Sequence, residues 1–357
     1  MKGIILVGGL GTRLRPLTLT EPKPLIPFMN KPIIMHQIEA LAAAGVTEII
    51  LAVGYMPETL KQRLDAYTCE LPVKITYSIE ETSMGTAGPL SLIRDILENE
   101  TEPFFVLNSD VICEYPFKEM IAYHQLHQRA GTIAATKVND PSRYGVMIYD
   151  EDNTLQRFVE KPTTFVGDRI NAGIYLLTKR VLDYVQNTPM SMENDVLPKM
   201  ARNQEIKVFS LPGFWMDIGQ PKDYILGHQL YFQSTSTNRK SVFIDSTARI
   251  SPSATIGPNT VIGPNVIVED GAEIEDSVVL EGARIKENSL VASSIIGWRA
   301  QIGRWSRIED CSVIGANVKV QDGIYISEGR ILPDTQVSLH VLIPSKTQTP
   351  IQTPTTP

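Results

Sequence analysis

"MKGIILVGGLGTRLRPLTLTEPKPL", residues 1–25, opens with an apolar run, breaks at a glycine cluster, and continues with Arg13, Arg15 and Lys23 among prolines. Gly3–Val7 reads as a buried strand, and Gly8, Gly9 and Gly11 as the turn that leaves it. Glycine lets backbone N–H groups approach an anion closely. Arg13 can give two hydrogen bonds to phosphate oxygens, and Lys23 adds a point charge. Pro16, Pro22, Pro24 and Pro27 stiffen the segment, so its geometry matters. Two better-known phosphate loops do not fit. A dinucleotide loop needs a third glycine and an acid about 20 residues on, and Met29–Met35 supplies none. A GxxxxGK[ST] loop needs a lysine that is missing here.

Downstream, short apolar runs alternate with helical patterns. Pro32–Ala44 predicts a helix capped by Gly45, Glu48–Val53 a strand, and Pro89–Leu97 a helix with proline in its first turn. Pro103–Leu107 predicts a strand and Pro116–Gln128 a helix. Such alternation predicts an α/β domain with a doubly wound, mostly parallel sheet over residues 1–233. The polar stretch 234–241 has no periodicity and reads as a linker.

After it the period changes to six. Aliphatic residues recur at Ile244, Ile250, Ile256, Ile262, Val268, Ile274 and Leu280, slip near Ile285 and Val291, and resume from Ile296 to Ile326. Six is neither a helical nor a simple strand period. It fits a short strand plus a turn, repeated, with the aliphatic side chain filling a coil: a hexapeptide-repeat parallel β-helix over 242–332. From 333 to 357, ending in SKTQTPIQTPTTP, the chain reads as a poorly packed tail.

Composition narrows the function. The net charge of −7 argues against a broad nucleic-acid or membrane surface. The three cysteines, Cys69, Cys113 and Cys311, form no CxxC pair and suit a reducing cytoplasm. No stretch is long enough to span a bilayer.

Other constellations carry chemistry. Asn108-Ser109-Asp110 follows a buried strand, at the edge where doubly wound sheets bind ligands, and Asp110 is a hard ligand suited to Mg²⁺. Asp217 follows a second apolar run, where a turn role competes because Gly219 is near. Glu160 and Lys161 sit side by side at a strand end; alternation points them opposite ways, to different tasks. Gly85-Thr86-Ala87-Gly88-Pro89 is a turn opening a helix, able to lie against a base or simply to cap. His36, His124 and His127 fall on helical patterns and read as packed or surface histidines rather than metal ligands. Trp298 and Trp305, among Arg299, Arg304 and Arg307, read equally as an interface or as coil caps.

The stretches LVGGLGTRLRPLT…EPKPL, NKPIIMHQIEALAAAGVTEIILAV, GTAGPL, FFVLNSD, RFVEKP, INAGIY and GFWMDIGQPKDY resemble the sugar-phosphate nucleotidyltransferases. With the hexapeptide domain, over roughly residues 1–332, the chain is similar to the GDP-mannose pyrophosphorylase group of catalytic type. The resemblance implies a left-handed β-helix and a Mg²⁺-dependent transfer of GMP from GTP to mannose 1-phosphate, yielding GDP-mannose and pyrophosphate. It implies nucleotide contacts at Leu6, Gly8, Gly9, Gly11, Thr12, Arg13, Lys23, Gly85, Thr86, Asn108 and Asp110. Sugar contacts fall at Gly145, Glu160, Lys161, Asn171 and Asp217, metal at Asp110 and Asp217, and the catalytic charges at Arg13, Lys23 and Lys161. Relatives using UTP, dTTP or ATP with glucose 1-phosphate share these motifs, and regulatory subunits share the layout. A homo-oligomer through the β-helix, or pairing with a paralogous regulatory subunit, is the expected assembly. The ending after Leu332-Pro333 departs from the family pattern.

Overall fold

The structure is a computed structural model that describes residues 1–68, 71–235 and 241–341. Two compact units emerge from its contacts: Met1–Gly9 with Ile34–Trp215, and Leu10–Ile33 with Met216 onward. The stretch bearing Arg13 and Lys23 thus groups with the C-terminal half, although the sequence places it inside a domain of residues 1–233.

In the first unit a mixed nine-stranded sheet is built on β1 (Lys2–Val7), β2 (Glu48–Val53), β3 (Lys74–Ile79) and β4 (Phe104–Asn108), in the order β4-β1-β2-β3 and all parallel. Helices cross between parallel strands, so both faces are covered and β1 is apolar from Gly3 to Val7, with Ile4 and Ile5 fully buried. The remaining strands are β5 (Gly131–Lys137), β6 (Gly145–Tyr149), β7 (Leu155–Glu160), β8 (Arg169–Leu177) and β9 (Ile206–Ser210). Here the chain turns antiparallel: β8 lies against β4, β5 and β6, β7 pairs β6, and β9 runs parallel to β5. Pairing of β8 with β5 breaks between Asn171 and Tyr175, where Gly173 takes φ +73°. This bulge re-aims the strand end.

The predicted helices form with trimmed ends. Ile33–Ala43 stops at Gly45, whose φ of +92° lets the chain reverse. Pro89–Leu97 divides into Pro89–Leu92 and Arg94–Glu98 at Ile93.

In the second unit, among the described residues, seventeen short strands form three parallel sheets, the stacked walls of a β-helix. The inward row runs Ile262, Val268, Ile274, Val279, Ile285, Val291, Ile296, all at most 2 % exposed. Val279, not Leu280, occupies the row: Ile262 pairs with Val279, which pairs with Ile296. The slip comes from one corner that is a residue shorter in some coils, at 274→279, 291→296 and 326→331. Fully buried serines line that corner; Ser277 Oγ donates to the Glu275 carbonyl and accepts from Ser294 N at 3.0 Å. A hydroxyl turned back on the backbone closes the tighter corner without leaving buried polar groups unpaired.

The β-helix also runs past the predicted start of the tail. Gln336–Val337 pairs with Lys319–Val320, and Val341 bridges to Ile326, because both valines continue the buried row. The predicted linker overlaps the helix Pro221–Thr235, and its residues 236–240, like 342–357 of the tail, lie outside the described residues.

Candidate functional site

The first unit brings several predicted residues to neighbouring strand ends. Gly145 opens β6 and pairs with Glu160 at the end of β7, while Val146 pairs with Ile170, just before Asn171 on β8. Gly145 is required: a Cβ there would lie 2.2 Å from Phe158 Cζ and 2.9 Å from Glu160 Oε2. Glu160 and Lys161 do not point apart as alternation suggests. Lys161 lies past the strand end at φ +42°, which turns its ammonium back to within 2.9 Å of Glu160 Oε1. Glu160 Oε2 is buried and accepts no hydrogen bond among the described residues.

Asn171 donates to the Tyr175 hydroxyl at 2.7 Å and accepts from Gly173 N at 3.0 Å. Tyr175 is buried, and its phenol is pushed far up by burial first and then by the charges of Glu193, Glu160 and Asp110. Two of those three carboxylates, Glu160 and Asp110, are predicted site residues. A Cβ on Gly173 would come within 2.8 Å of Asn108 Nδ2, so the glycine makes room for the Asn108 side chain. Gln37, buried in the helix Ile33–Ala43, holds the Asp110 turn from behind: its Nε2 donates to the carbonyls of Asn108 (2.8 Å) and Val111 (3.1 Å).

The turn Gly85–Gly88 is locked in place. Gly85 has φ +74°, and a Cβ on it would lie 2.3 Å from the Met190 carbonyl. Thr86 Oγ1 donates to Glu193 Oε2 at 2.6 Å and accepts from Met192 N at 2.7 Å. At the end of β1, a Cβ on Gly8 would meet Glu80 Oε1 at 2.9 Å, while Gly9 faces open space. Glu80 is 8 % exposed, and its other oxygen accepts from Met84 N at 3.0 Å. Sequence reasoning passed over Glu80, Glu193 and Gln37. Glu80 stands five residues before Gly85, a signal that could have been read; nothing local marks Glu193 or Gln37.

In the second unit, Gly11 takes φ +61° and packs on Thr18, whose hydroxyl donates to the Gly11 carbonyl at 2.8 Å. Three short turns follow, Thr12–Leu14, Leu17–Leu19 and Lys23–Leu25, anchored by buried Leu14, Leu17 and Leu25. Thr12 and Arg13 are exposed, whereas Lys23 is nine-tenths buried. A Cβ on Gly219 would stand 2.9 Å from Asp217 Oδ1 and 3.1 Å from Arg13 Nη2. Glycine there keeps space open between a carboxylate and a guanidinium. Asp110 and Asp217 each offer hard carboxylate oxygens, the donor chemistry that suits a Mg²⁺-type cation, and Gly219 leaves clearance beside Asp217. Among the described residues no group of three or more His, Cys, Asp or Glu side chains could hold a metal.

His124 and His127 share one threonine. His124 Nδ1 and His127 Nε2 both engage the Thr132 hydroxyl at 2.9 Å. Burial holds both below the usual imidazole range, His127 at about 4. Cys113 is buried, which pushes its thiol up to about 12; Cys69 lies outside the described residues. Trp298 is buried and Trp305 is 68 % exposed. No helix among the described residues is long and apolar enough to cross a membrane.

A glycine-turned strand end, a carboxylate turn after a central strand, and a hexapeptide coil define a class. The chain belongs to the nucleotidyl transferase family, whose model matches residues 2–234; a model described as the GMPPB C-terminal domain matches 238–347. Within that class it is similar to the mannose-1-phosphate guanyltransferases of Eremothecium gossypii (53 % identical) and Saccharomyces cerevisiae (54 %), each match covering 96 % of this chain and 98 % of the relative. A Bacillus anthracis protein provisionally described as a glucose-1-phosphate thymidylyltransferase, solved with sucrose, has the same fold over 67 % of this chain and 98 % of its own. Its TM-score is 0.58 at 23 % identity.

Proposed function

We propose that this chain transfers GMP from GTP to α-D-mannose 1-phosphate, giving GDP-mannose and pyrophosphate. The observation that carries the reading is the seating of Glu160 opposite Gly145, with Lys161 turned back onto it and Asn171 on the neighbouring strand, in a chain so similar to guanyltransferases.

A phosphate oxygen of mannose 1-phosphate attacks the α-phosphorus of GTP in line. An O–Pα bond forms, the bond to the bridging oxygen breaks, and pyrophosphate leaves with that electron pair. No protein nucleophile is required; orientation and charge neutralisation supply the rate. Lys161 anchors the attacking phosphate, and its ion pair with Glu160 aligns the ammonium. Glu160 Oε2 and Asn171 take sugar hydroxyls, and Gly145 offers its backbone. Arg13 and Lys23 neutralise the β- and γ-phosphates, with backbone N–H groups from Gly8 to Thr12 around them and Leu6 at the strand end. Gly85 and Thr86 lie against the base. Guanine presents N1–H and N2–H donors side by side, a pair that the Glu80 carboxylate accepts. Asp110 and Asp217 would hold Mg²⁺, which when bound draws charge from the phosphate oxygens.

On this reading residues 1–233 are the catalytic part, the β-helix mediates assembly, with itself or a paralogous regulatory subunit, and the protein works in the cytoplasm. The test is a pyrophosphate-release assay with Mg²⁺ over four nucleoside triphosphates and two sugar phosphates. Turnover confined to GTP with mannose 1-phosphate is expected; a preference for glucose 1-phosphate with another nucleotide overturns it.

A further inference from the structure

The stretch that carries Arg13 and Lys23 ends in a hairpin, Pro27–Phe28 paired with Lys31–Pro32, turned by Met29 and Asn30 at φ +49° and +60°. The hairpin is tied down at three points. Asn30 Nδ2 donates to the carbonyl of Ile262, in the β-helix wall, at 2.8 Å. His228 accepts from Met29 N at its Nε2 (3.3 Å) and contacts the Tyr224 carbonyl through Nδ1 (2.8 Å). That carbonyl can only accept, so Nδ1 carries the proton and Nε2 is left to receive Met29 N–H. The Tyr224 hydroxyl donates to the Pro27 carbonyl. Phe28, fully buried, stacks at 4.2 Å on His228. The helix supplying Tyr224 and His228 is itself pinned to the coil, Gln229 Nε2 donating to Asp276 Oδ1 at 3.1 Å.

We propose that the β-helix is a structural member of the nucleotide site, and that Asn30 is the positioning residue that couples its wall to the Arg13–Lys23 segment. Six residues separate Lys23 from Asn30, and Pro24 and Pro27 among them remove backbone freedom. Lys23 is itself nearly enclosed. A displacement of the hairpin therefore has few torsions in which to dissipate before it reaches that ammonium. A polar tie to one backbone carbonyl serves direction rather than bulk cohesion, which the buried leucines and Phe28 already provide. The inference rests on the phosphate-binding role proposed for Arg13 and Lys23.

The position allows a clean test. Asn30 has left-handed backbone, so Asn30→Gly deletes the side-chain donor without strain. Asn30→Asp keeps the size but sets an acceptor against the Ile262 carbonyl. One neutral hydrogen bond corresponds to about a three- to tenfold change. Asn30→Gly is expected to raise KM for GTP by about that factor and Asn30→Asp by more, with KM for mannose 1-phosphate unchanged. Titration of the free enzyme with a fluorescent GTP analogue should show the same loss of affinity. If Asn30→Gly binds the analogue as tightly as wild type, the proposal fails. It fails too if both KM values rise together with a fallen Tm, since the tie then serves only folding. Should Asn30→Asp not fold, the glycine variant decides alone. A wild-type enzyme that binds the analogue but does not turn over would fault the proposed reaction while leaving the tie readable in the titration.

Discussion

Glu160 holds Lys161 with one carboxylate oxygen, at 2.9 Å, and keeps the other buried with no hydrogen bond among the described residues. A buried carboxylate oxygen without a donor is costly unless something supplies one. The hydroxyls of a sugar are suitable donors, which supports the proposed placing of mannose 1-phosphate beside Glu160 and Lys161.

Lys161→Ala should lower kcat by about 10²–10³ if the ammonium acts mainly in the transition state. Its side chain is 65 % exposed, so Tm should hardly move. Near-normal turnover would remove Lys161 from the chemistry.

Gly145→Ala sets a methyl 2.2 Å from the Phe158 ring and 2.9 Å from Glu160 Oε2. Overpacking of this kind costs about 1–3 kcal/mol. Thermal unfolding should register that loss, and KM for mannose 1-phosphate should rise more than KM for GTP. A variant as stable and active as wild type would show that the strand end tolerates displacement.

Glu80→Gln keeps the shape but replaces an acceptor oxygen by a donor amide. Met84 N needs an acceptor, and the amide oxygen can serve it, turning the NH₂ toward the base. Selection for GTP over the other triphosphates, measured as a ratio of kcat/KM, should fall about ten- to a hundredfold, the effect of an unmade buried hydrogen bond. An unchanged ratio would place guanine selection elsewhere.

The histidine pair predicts a pH dependence of stability. His127 has its folded value depressed to about 4 from 6.5 by burial, with the charges of His124, Lys207 and Arg129 adding to it. Between those values the unfolded chain binds the extra proton, so acid favours unfolding. Full stability is present above pH 6.5 and declines as pH falls toward 4. His124 is depressed in the same direction by burial. Tm of wild type should drop over that window, and His127→Gln should flatten the drop. Parallel curves for the two proteins would refute the assignment.

The parts of this protein legible in sequence are those specified by short-range patterns. The run Gly3–Val7 and its glycine turn announced a buried strand, because a strand covered on both faces must be apolar throughout. The six-residue aliphatic recurrence announced the coil, because each repeat is a strand and a corner and buries one side chain. Both patterns fail where the backbone leaves its period. Lys161 breaks strand alternation by entering the left-handed region, and Val279 displaces Leu280 where one corner loses a residue. The family motifs named Asp110, Glu160 and Asn171, yet no pattern linked them to Glu193 or Gln37.

Sequence by itself determined the two architectures and most of the charged inventory, since backbone periodicity and glycine or proline chemistry act over a few residues. Tertiary structure alone decided that Asn171 donates to the Tyr175 hydroxyl, what turns Lys161 onto Glu160, and that Asn30 reaches a carbonyl 232 positions along the chain. Such meetings depend on how whole elements pack, and a side chain's local context carries no record of a partner brought to it by the fold.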